Sequence, residues 1–313
     1  MRGARFAFLS PAPFCYAPAM LSVVIITANR HHMLRRCLAG LDAQSPAIPH
    51  EIIVVDQAST DGTGEMLARE QQTHPNLRMD TLPDPSANAK RNRGASLARY
   101  DLIAFLDDDA VPDPGWLAAL LDAFQNPAHG IVTGSLHPLT PGYGQTLRLA
   151  PAPRLWKPCF RNKLVVWRCG VSANMAVRRA AFNRLGGFDP VIGTGTPLGG
   201  CGDDVDFFLR ALNADLPIYY SPAARVFHHQ SDQPAEFYRR ACAYHFGIAA
   251  MVRYKFARDP AALAMIPLRL GHSAVMGIGS LLACRPESAR ARGIEIKATL
   301  AGWRAGARAR QAS

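Results

Sequence analysis

Three carboxylates stand side by side in "AFLDDDAVPDPGWL" (Ala104–Leu117): Asp107, Asp108 and Asp109. Adjacent anions repel, so placing them directly after an apolar run requires a compensating interaction. Hard divalent cations such as Mg2+ or Mn2+ take oxygen ligands, and an i, i+2 pair at a strand end can aim two carboxylates at one ion. A solvated acidic turn is the alternative. Four other groups have comparable double readings. Asp56 closes "EIIVVD" and could accept a hydrogen bond from a pyrimidine ring N–H, or cap the helix that follows. Lys90, Arg91 and Arg93 in "NAKRNRG" could meet phosphates or line a solvated helix face. His228 and His229 are a tandem of metal-ligand type that a structural role would also explain. Asp203, Asp204 and Asp206 in "GGCGDDVDFFLR" open a helix, where the dipole favours anions. A carboxylate on a glycine-rich lid is also where a general base would be carried.

The elements that must position these groups follow from periodicity. "LSVVIITA" (residues 21–28), "EIIVVD" and "DLIAFLD" are continuous apolar runs of the kind buried on both faces of a parallel sheet. Helical patterns separate them: "NRHHMLRRCLAGLDAQ", with Met33, Leu34, Cys37, Leu38 and Leu41 on one stripe; "STDGTGEMLAREQQ", with Ser59 or Thr60 as cap; and "NAKRNRGASLARY". "NLRMDTLP" reads as a short strand. This alternation predicts an α/β sheet with ligands beyond the carboxyl ends of its strands, where Asp56 and Asp107–Asp109 lie.

Further along, "GIVTGSLHPL" reads as a strand and residues 137–162 as a long loop. "VWRCGVSANMAVRRAAFNRLGGFD" gives a strand and a helix ended by Gly186 and Gly187, and a mobile glycine-rich loop leads to a helix near Asp203. A short strand ends at His228–His229, and residues 235–257 form an amphipathic helix. "LAMIPLRLGHSAVMGIGSLLAC" is a core helix or an interfacial one.

The bulk composition fits an ordinary folded chain of 313 residues, 49% hydrophobic and 19% charged, with a net charge of +11. From Arg285 onward seven basic residues face only Glu287 and Glu295, which favours an anionic partner. Seven dispersed cysteines without a C-x-x-C suit reduced, mostly buried thiols in the cytoplasm and argue against zinc. Prolines 11, 13 and 18 break the apolar N-terminus, so a floppy extension is expected rather than a signal peptide, with Met20 an alternative start. No run reaches the ~18 uninterrupted apolar residues of a spanning helix. The first strand runs into "TANRHH" without a G-x-G-x-x-G, which excludes a dinucleotide fingerprint. The basic residues are not interleaved with aromatics, so no nucleic-acid partner is expected.

Together and in this order, "SVVIITANR", "EIIVVDQASTDGT", "AKRNRG", "LIAFLDDDAVPDPGWL", "GVSANMAVRRAAFNRLGGFD", "GDDVDFFLR" and "ARVFHH" resemble the family-2 glycosyltransferases of the GT-A fold, over about residues 21–230. The resemblance implies a mostly parallel nucleotide-binding sheet flanked by helices, with a C-terminal helical extension. Residues 1–20 would be the extension, 21–234 the catalytic domain (nucleotide half 21–110, acceptor half 111–234) and 235–313 a basic helical region. It implies an inverting, metal-dependent enzyme that moves a sugar from a UDP- or dTDP-linked donor to a hydroxyl of a glycan or lipid-linked acceptor. Thr27, Arg30, Asp56, Arg91 and Asp107 would serve the nucleotide; Asp109 and His228 would hold Mg2+ or Mn2+. Asp204 would be the general base, and Asn174, Trp116 and Asp203 would lie near the sugars.

Three positions depart from the family pattern. Gln57 and Ala58 follow Asp56 where a second acid and a glycine are usual, the acidic pair reads Asp203-Asp204, and the tandem histidines leave a one-residue ambiguity. A sugar-nucleotide hydrolase or a non-catalytic sugar-nucleotide-binding protein would use the same residues. The basic tail behind an apolar segment leads us to expect a peripheral contact with the anionic inner face of the membrane.

Overall fold

The computed structural model describes residues 20–139, 159–231 and 233–312. The expected N-terminal extension and most of the long loop, residues 140–158, lie outside them.

Four runs become parallel neighbours: β1 (Leu21–Thr27), β2 (His50–Asp56), β3 (Leu77–Thr81) and β4 (Leu102–Asp107), in the order β3-β2-β1-β4. The period-2 alternation of their side chains serves two cores. Val24, Ile53, Val55, Ile103 and Phe105 enter one. Val23, Ile25, Ile52, Val54, Ala104 and Leu106 enter the other. Both faces are thus covered, which is why these strands lack polar alternation.

Three helices connect them. α1 (His31–Asp42) buries Leu34, Cys37, Leu38 and Leu41, as its spacing predicts. α2 (Thr63–Thr73) starts later than expected, and neither Ser59 nor Thr60 caps it. Ser59 turns back to Asp56, while Thr63 Oγ1 and N donate to Asp61 at 2.5 and 3.2 Å. α3 (Ala87–Leu97) is capped by Ser86, whose Oγ accepts from Ala89 N at 3.2 Å.

Beyond β4 the sheet stops being parallel. A turn at Asp108–Asp109 leads to β5 (Ala110–Pro112) and α4 (Trp116–Ala123), followed by β6 (Ile131–Pro138), β7 (Cys159–Phe160), β8 (Asn174–Arg178) and α5 (Arg179–Arg184). The glycine-rich loop reaches α6 (Asp203–Asn213) and then β9 (Ile218–His228). The full order is β3-β2-β1-β4-β8-β6-β9-β5, with β7 on β9. β8 is antiparallel to both β4 and β6; β9 is parallel to β6 and antiparallel to β5 and β7. The glycine-rich loop is tied down rather than loose. Asn88 Nδ2 donates to Asp189 O and Ile192 O, both at 2.8 Å, Ala87 N to Thr194 O, and Cys201 N to Ala243 O at 2.9 Å.

Three long helices complete the chain: α7 (Pro234–Lys255), α8 (Pro260–Leu282) and α9 (Pro286–Ala312). Ile248–Val252 of α7, beyond the expected boundary at residue 234, belong to the same core as the sheet. α7 also carries Gly247, where a Cβ would collide with the backbone of Cys201 just before α6. α9 approaches α7 equally closely at Gly302 and Gly306, where side chains would strike the backbone of Phe246 and Ala250. Among the described cysteines, Cys37 and Cys169 are buried, but Cys242 and Cys284 are exposed.

Candidate active site

Register brings the strand-end groups together. Thr27 pairs with Asp56 and Ile26 with Asp107, so β1, β2 and β4 end along one edge. Ala110 of β5 pairs with His228 of β9, which sets His228 beside the acidic turn.

The three aspartates divide their work. Asp108 turns inward: Thr27 Oγ1 donates to its Oδ2 at 2.7 Å and Arg30 Nη1 to its Oδ1 at 3.0 Å. Burial pushes Asp108 up to about 6, with Arg30 opposing and Asp109 adding to the rise. The middle acid is therefore an anchor for the turn. Asp107 and Asp109 point the other way, and one ligand atom from each lies within 4.8 Å of the others in the cluster Asp107, Asp109 and His228. Arg30 Nη1 also reaches Asp109 Oδ2 at 3.3 Å.

His228 fixes its own tautomer. Its Nδ1 lies 2.8 Å from the His229 carbonyl oxygen, which can only accept, so Nδ1 carries the proton and neutral Nε2 presents a lone pair. That Nε2 is 3.0 Å from Asp109 Oδ1 and 3.9 Å from Asp107 Oδ2. Asp109 Oδ1 is buried and has no hydrogen-bond partner among the described residues. Two lone pairs facing each other at this range require a positive charge between them. Without a metal that charge is a proton: burial lowers the His228 pKa, but Asp107 and Asp109 outweigh it and raise it to about 10. Burial likewise works against ionised Asp107, yet His228 and Arg91 hold it far below the usual carboxylate range. Two carboxylates and one imidazole nitrogen suit Mg2+ or Mn2+, so these residues fit the divalent cation expected here.

Arg91 joins this cluster to α6. The guanidinium is buried, with Nη2 at 3.3 Å from Asp107 Oδ1 and Nη1 at 2.7 Å from Asp203 Oδ2. It is a clamp between two acids, not an open nucleotide contact, and it engages Asp203, which was expected near a sugar. Asp204, next in the chain, is buried too; its Oδ1 accepts from Val205 N at 2.8 Å. Burial first, and Asp203 next, push Asp204 up to about 7, which suits a general base near neutrality. The third acid, Asp206, pairs with Arg210 at 2.7 Å and Lys255 at 3.0 Å and serves the fold.

Two expectations are corrected. Trp116 and Asn174 are both 0% exposed. Trp116 Nε1 donates to Asn174 Oδ1 at 2.8 Å, and Asn174 Nδ2 donates to Ser135 O and Ala224 O at 3.0 and 2.8 Å. With every polar atom paired, they bolt α4 to β6, β8 and β9 and have nothing to offer a sugar. Trp116→Phe leaves Asn174 Oδ1 unpaired, so we expect a loss of about 1–3 kcal/mol of stability in chemical denaturation. Its donor affinity should match that of the wild type.

At the other end of the edge, Asp56 accepts from Ser59 N at 2.8 Å and Ser59 Oγ at 2.5 Å, which holds the carboxylate rigid. Lys90, which the sequence leaves between a phosphate contact and a solvated helix face, is buried, its Nζ donating to Gln57 Oε1 at 2.7 Å and Asp84 O at 2.8 Å. The sequence pattern missed one contributor. Tyr244 on α7 is close enough to Asp204 and Asp203 that burial, reinforced by their charges, pushes its hydroxyl well above the ordinary value. The helical stripe of α7 marks Tyr244 as apolar-face, and only the docking of α7 shows which acids it meets.

Residues 22–186 match the model of glycosyl transferase family 2. The pre-mycofactocin glycosyltransferase of Mycobacterium tuberculosis is 27% identical over 83% of this chain and 53% of its own length. The O-antigen biosynthesis protein RfbC of Myxococcus xanthus is 28% identical over 71% of this chain and 19% of its length. The chain thus spans about half, and about a fifth, of these two relatives. A mannosyltransferase from Pyrobaculum calidifontis, solved with GDP-Man and Mn2+, superposes with a TM-score of 0.64 at 19% identity, covering 92% of this chain and 88% of the other. That likeness shows the fold, which is the expected GT-A architecture with helices added at the C-terminus. With just over half of its length matched by the family model, this chain belongs to glycosyl transferase family 2.

Proposed function

We propose that the protein transfers a sugar from a nucleoside-diphosphate sugar to a hydroxyl of a glycan or lipid-linked acceptor, with inversion at the anomeric carbon. The observation that carries this reading is the Arg91 clamp. One buried guanidinium holds the acidic turn that fits a divalent cation and the first turn of α6, which carries Asp204. Asp107, Asp109 and His228 would hold the cation, which offsets the negative charge developing on the departing diphosphate. Asp204 accepts the proton of the acceptor hydroxyl as its oxygen attacks from the face opposite the diphosphate. One displacement inverts the configuration, and no enzyme nucleophile is needed. The Pyrobaculum calidifontis mannosyltransferase, solved with GDP-Man and Mn2+, supports this use of the fold.

Donor choice follows from Asp56 and Gln57. An ammonium only donates, so Lys90 commits the Gln57 amide oxygen and leaves the Gln57 NH2 as the donating end. A carboxylate next to an amide N–H matches a ring N–H beside a carbonyl, as uracil and thymine present. UDP and dTDP with Mn2+ are expected to raise the melting temperature, by about 2.7 kcal/mol of stabilisation at a hundredfold excess over Kd. CDP should not, because cytosine N3 has no proton to give Asp56. Stabilisation by CDP equal to that by UDP would remove Asp56 from the base site. Incubating protein and donor with and without acceptor separates transfer from the alternatives: free sugar without acceptor marks a hydrolase, and binding without turnover a sensor.

A further inference from the structure

α8 carries an apolar face that nothing among the described residues covers. Only 22% of an apolar 18-residue stretch within it is buried. The inward side is well held: Ala262, Met265 and Ile266 enter the core, Ser273 Oγ donates to Glu295 Oε2 at 2.7 Å, and the Arg269 guanidinium sits 5.3 Å from the Trp167 ring centre. On the opposite side Leu268, Val275, Ile278 and Leu282 recur at helical spacing and are 52%, 68%, 60% and 82% exposed. Leu281, Ala274 and Gly271 widen the strip, and no Asp, Glu, Lys or Arg occurs from Gly271 to Cys284. A continuous uncharged ridge of this size is unfavourable in water and marks a contact surface.

The charges around it select the partner. Arg258 and Arg285 flank the two ends of α8, and both are exposed. Along α9, exposed Arg290, Lys297, Arg304 and Arg308 follow at intervals of seven, seven and four, one face of the helix. Glu295 is buried against Arg292 and Ser273, which leaves exposed Glu287 as the one acid of α9 against the four basic residues of this row. A second copy docking through the same ridge would bring two such rows together, each on a chain of net charge +11. An anionic surface reverses that repulsion. We infer that the outward face of α8 lies in the interface of an anionic phospholipid bilayer, with the basic row of α9 at the headgroups. α8 lies along the surface and does not cross it, because crossing would strip Ser273, Glu295 and Arg269 of partners in hydrocarbon. This inference is independent of the sugar-transfer reading, and either one stands if the other fails.

The test is flotation of the full chain with vesicles of phosphatidylcholine alone or mixed with phosphatidylglycerol, at physiological salt. Wild-type protein is expected to float only with the anionic vesicles. The Val275→Glu/Ile278→Glu double variant alters exposed positions alone. It should bind about tenfold more weakly or worse, with an unchanged melting temperature and unchanged UDP affinity. Lys297→Glu/Arg304→Glu should float only at reduced salt. If wild-type protein stays with the soluble fraction in both cases, or the α8 double variant floats as well as wild type, the inference is overturned. A concentration-dependent dimer that the α8 variant dissociates would assign the ridge to a second copy and overturn it as well.

Discussion

Asp204→Asn is expected to lower turnover by about 10²–10⁴-fold, the range of a lost general base, while Kd for the donor nucleotide stays within error of wild type. The amide cannot take a proton at neutral pH, yet it keeps the volume and can still accept from Val205 N. The pH profile carries the sharper information. Around Asp204 stand Asp203 on α6, Arg91 on α3, Asp107 at the end of β4 and Tyr244 on α7. Burial and the neighbouring acids place its pKa at about 7, so turnover should rise as pH increases through 7 and then level off. Stability should move oppositely. A carboxylic acid whose folded pKa lies above its unfolded one contributes stability in the protonated form, and that contribution disappears as pH climbs from ~4 to 7. Asp204→Asn should therefore melt higher than wild type above pH 7 and no higher well below pH 4. A variant with wild-type turnover, or a wild-type profile flat across pH 7, would remove the proton-accepting role from this residue.

The second large effect concerns the acidic turn. Asp109→Asn or His228→Ala is expected to weaken Mn2+-dependent UDP binding by at least about a hundredfold in calorimetry, because each removes a group facing the ion directly. Asp108→Asn should behave differently despite adjoining both outer acids. Its carboxylate only anchors the turn through Thr27 and Arg30, and an amide oxygen can accept one of those bonds. Metal-supported binding should thus survive in Asp108→Asn and fail in Asp109→Asn. Equal losses in the two variants, or affinity indifferent to a chelator, would show that the turn does not hold an ion.

Both predictions depend on distinctions between neighbouring residues, and here sequence and structure contribute unequally. Strand identity, helix placement and the location of Asp56 and Asp107–Asp109 at strand ends are local properties. They follow from side-chain period and from a few apolar residues in a row, and they were enough to carry the family resemblance. The start of α2 escaped that reading because Ser59 Oγ accepts from Asn29 N and donates to Asp56 instead of capping the helix. What the tertiary structure alone decided are pairings between residues far apart in the chain. Asp108 and Asp109 have the same side chain and adjacent positions; which one anchors and which one faces His228 depends on β1 lying beside β4 and β9 beside β5. Trp116 with Asn174, Lys90 with Gln57, and Arg91 with Asp203 include groups that the family resemblance assigns to a ligand or that a charge run assigns to a phosphate or to solvent. Folding instead gave them each other, because a buried donor or acceptor without a partner costs more than a solvent-exposed one. The unpartnered face of α8 is the converse case. Its apolar residues are plain in the sequence, but only the packed structure shows that none of the described elements covers them.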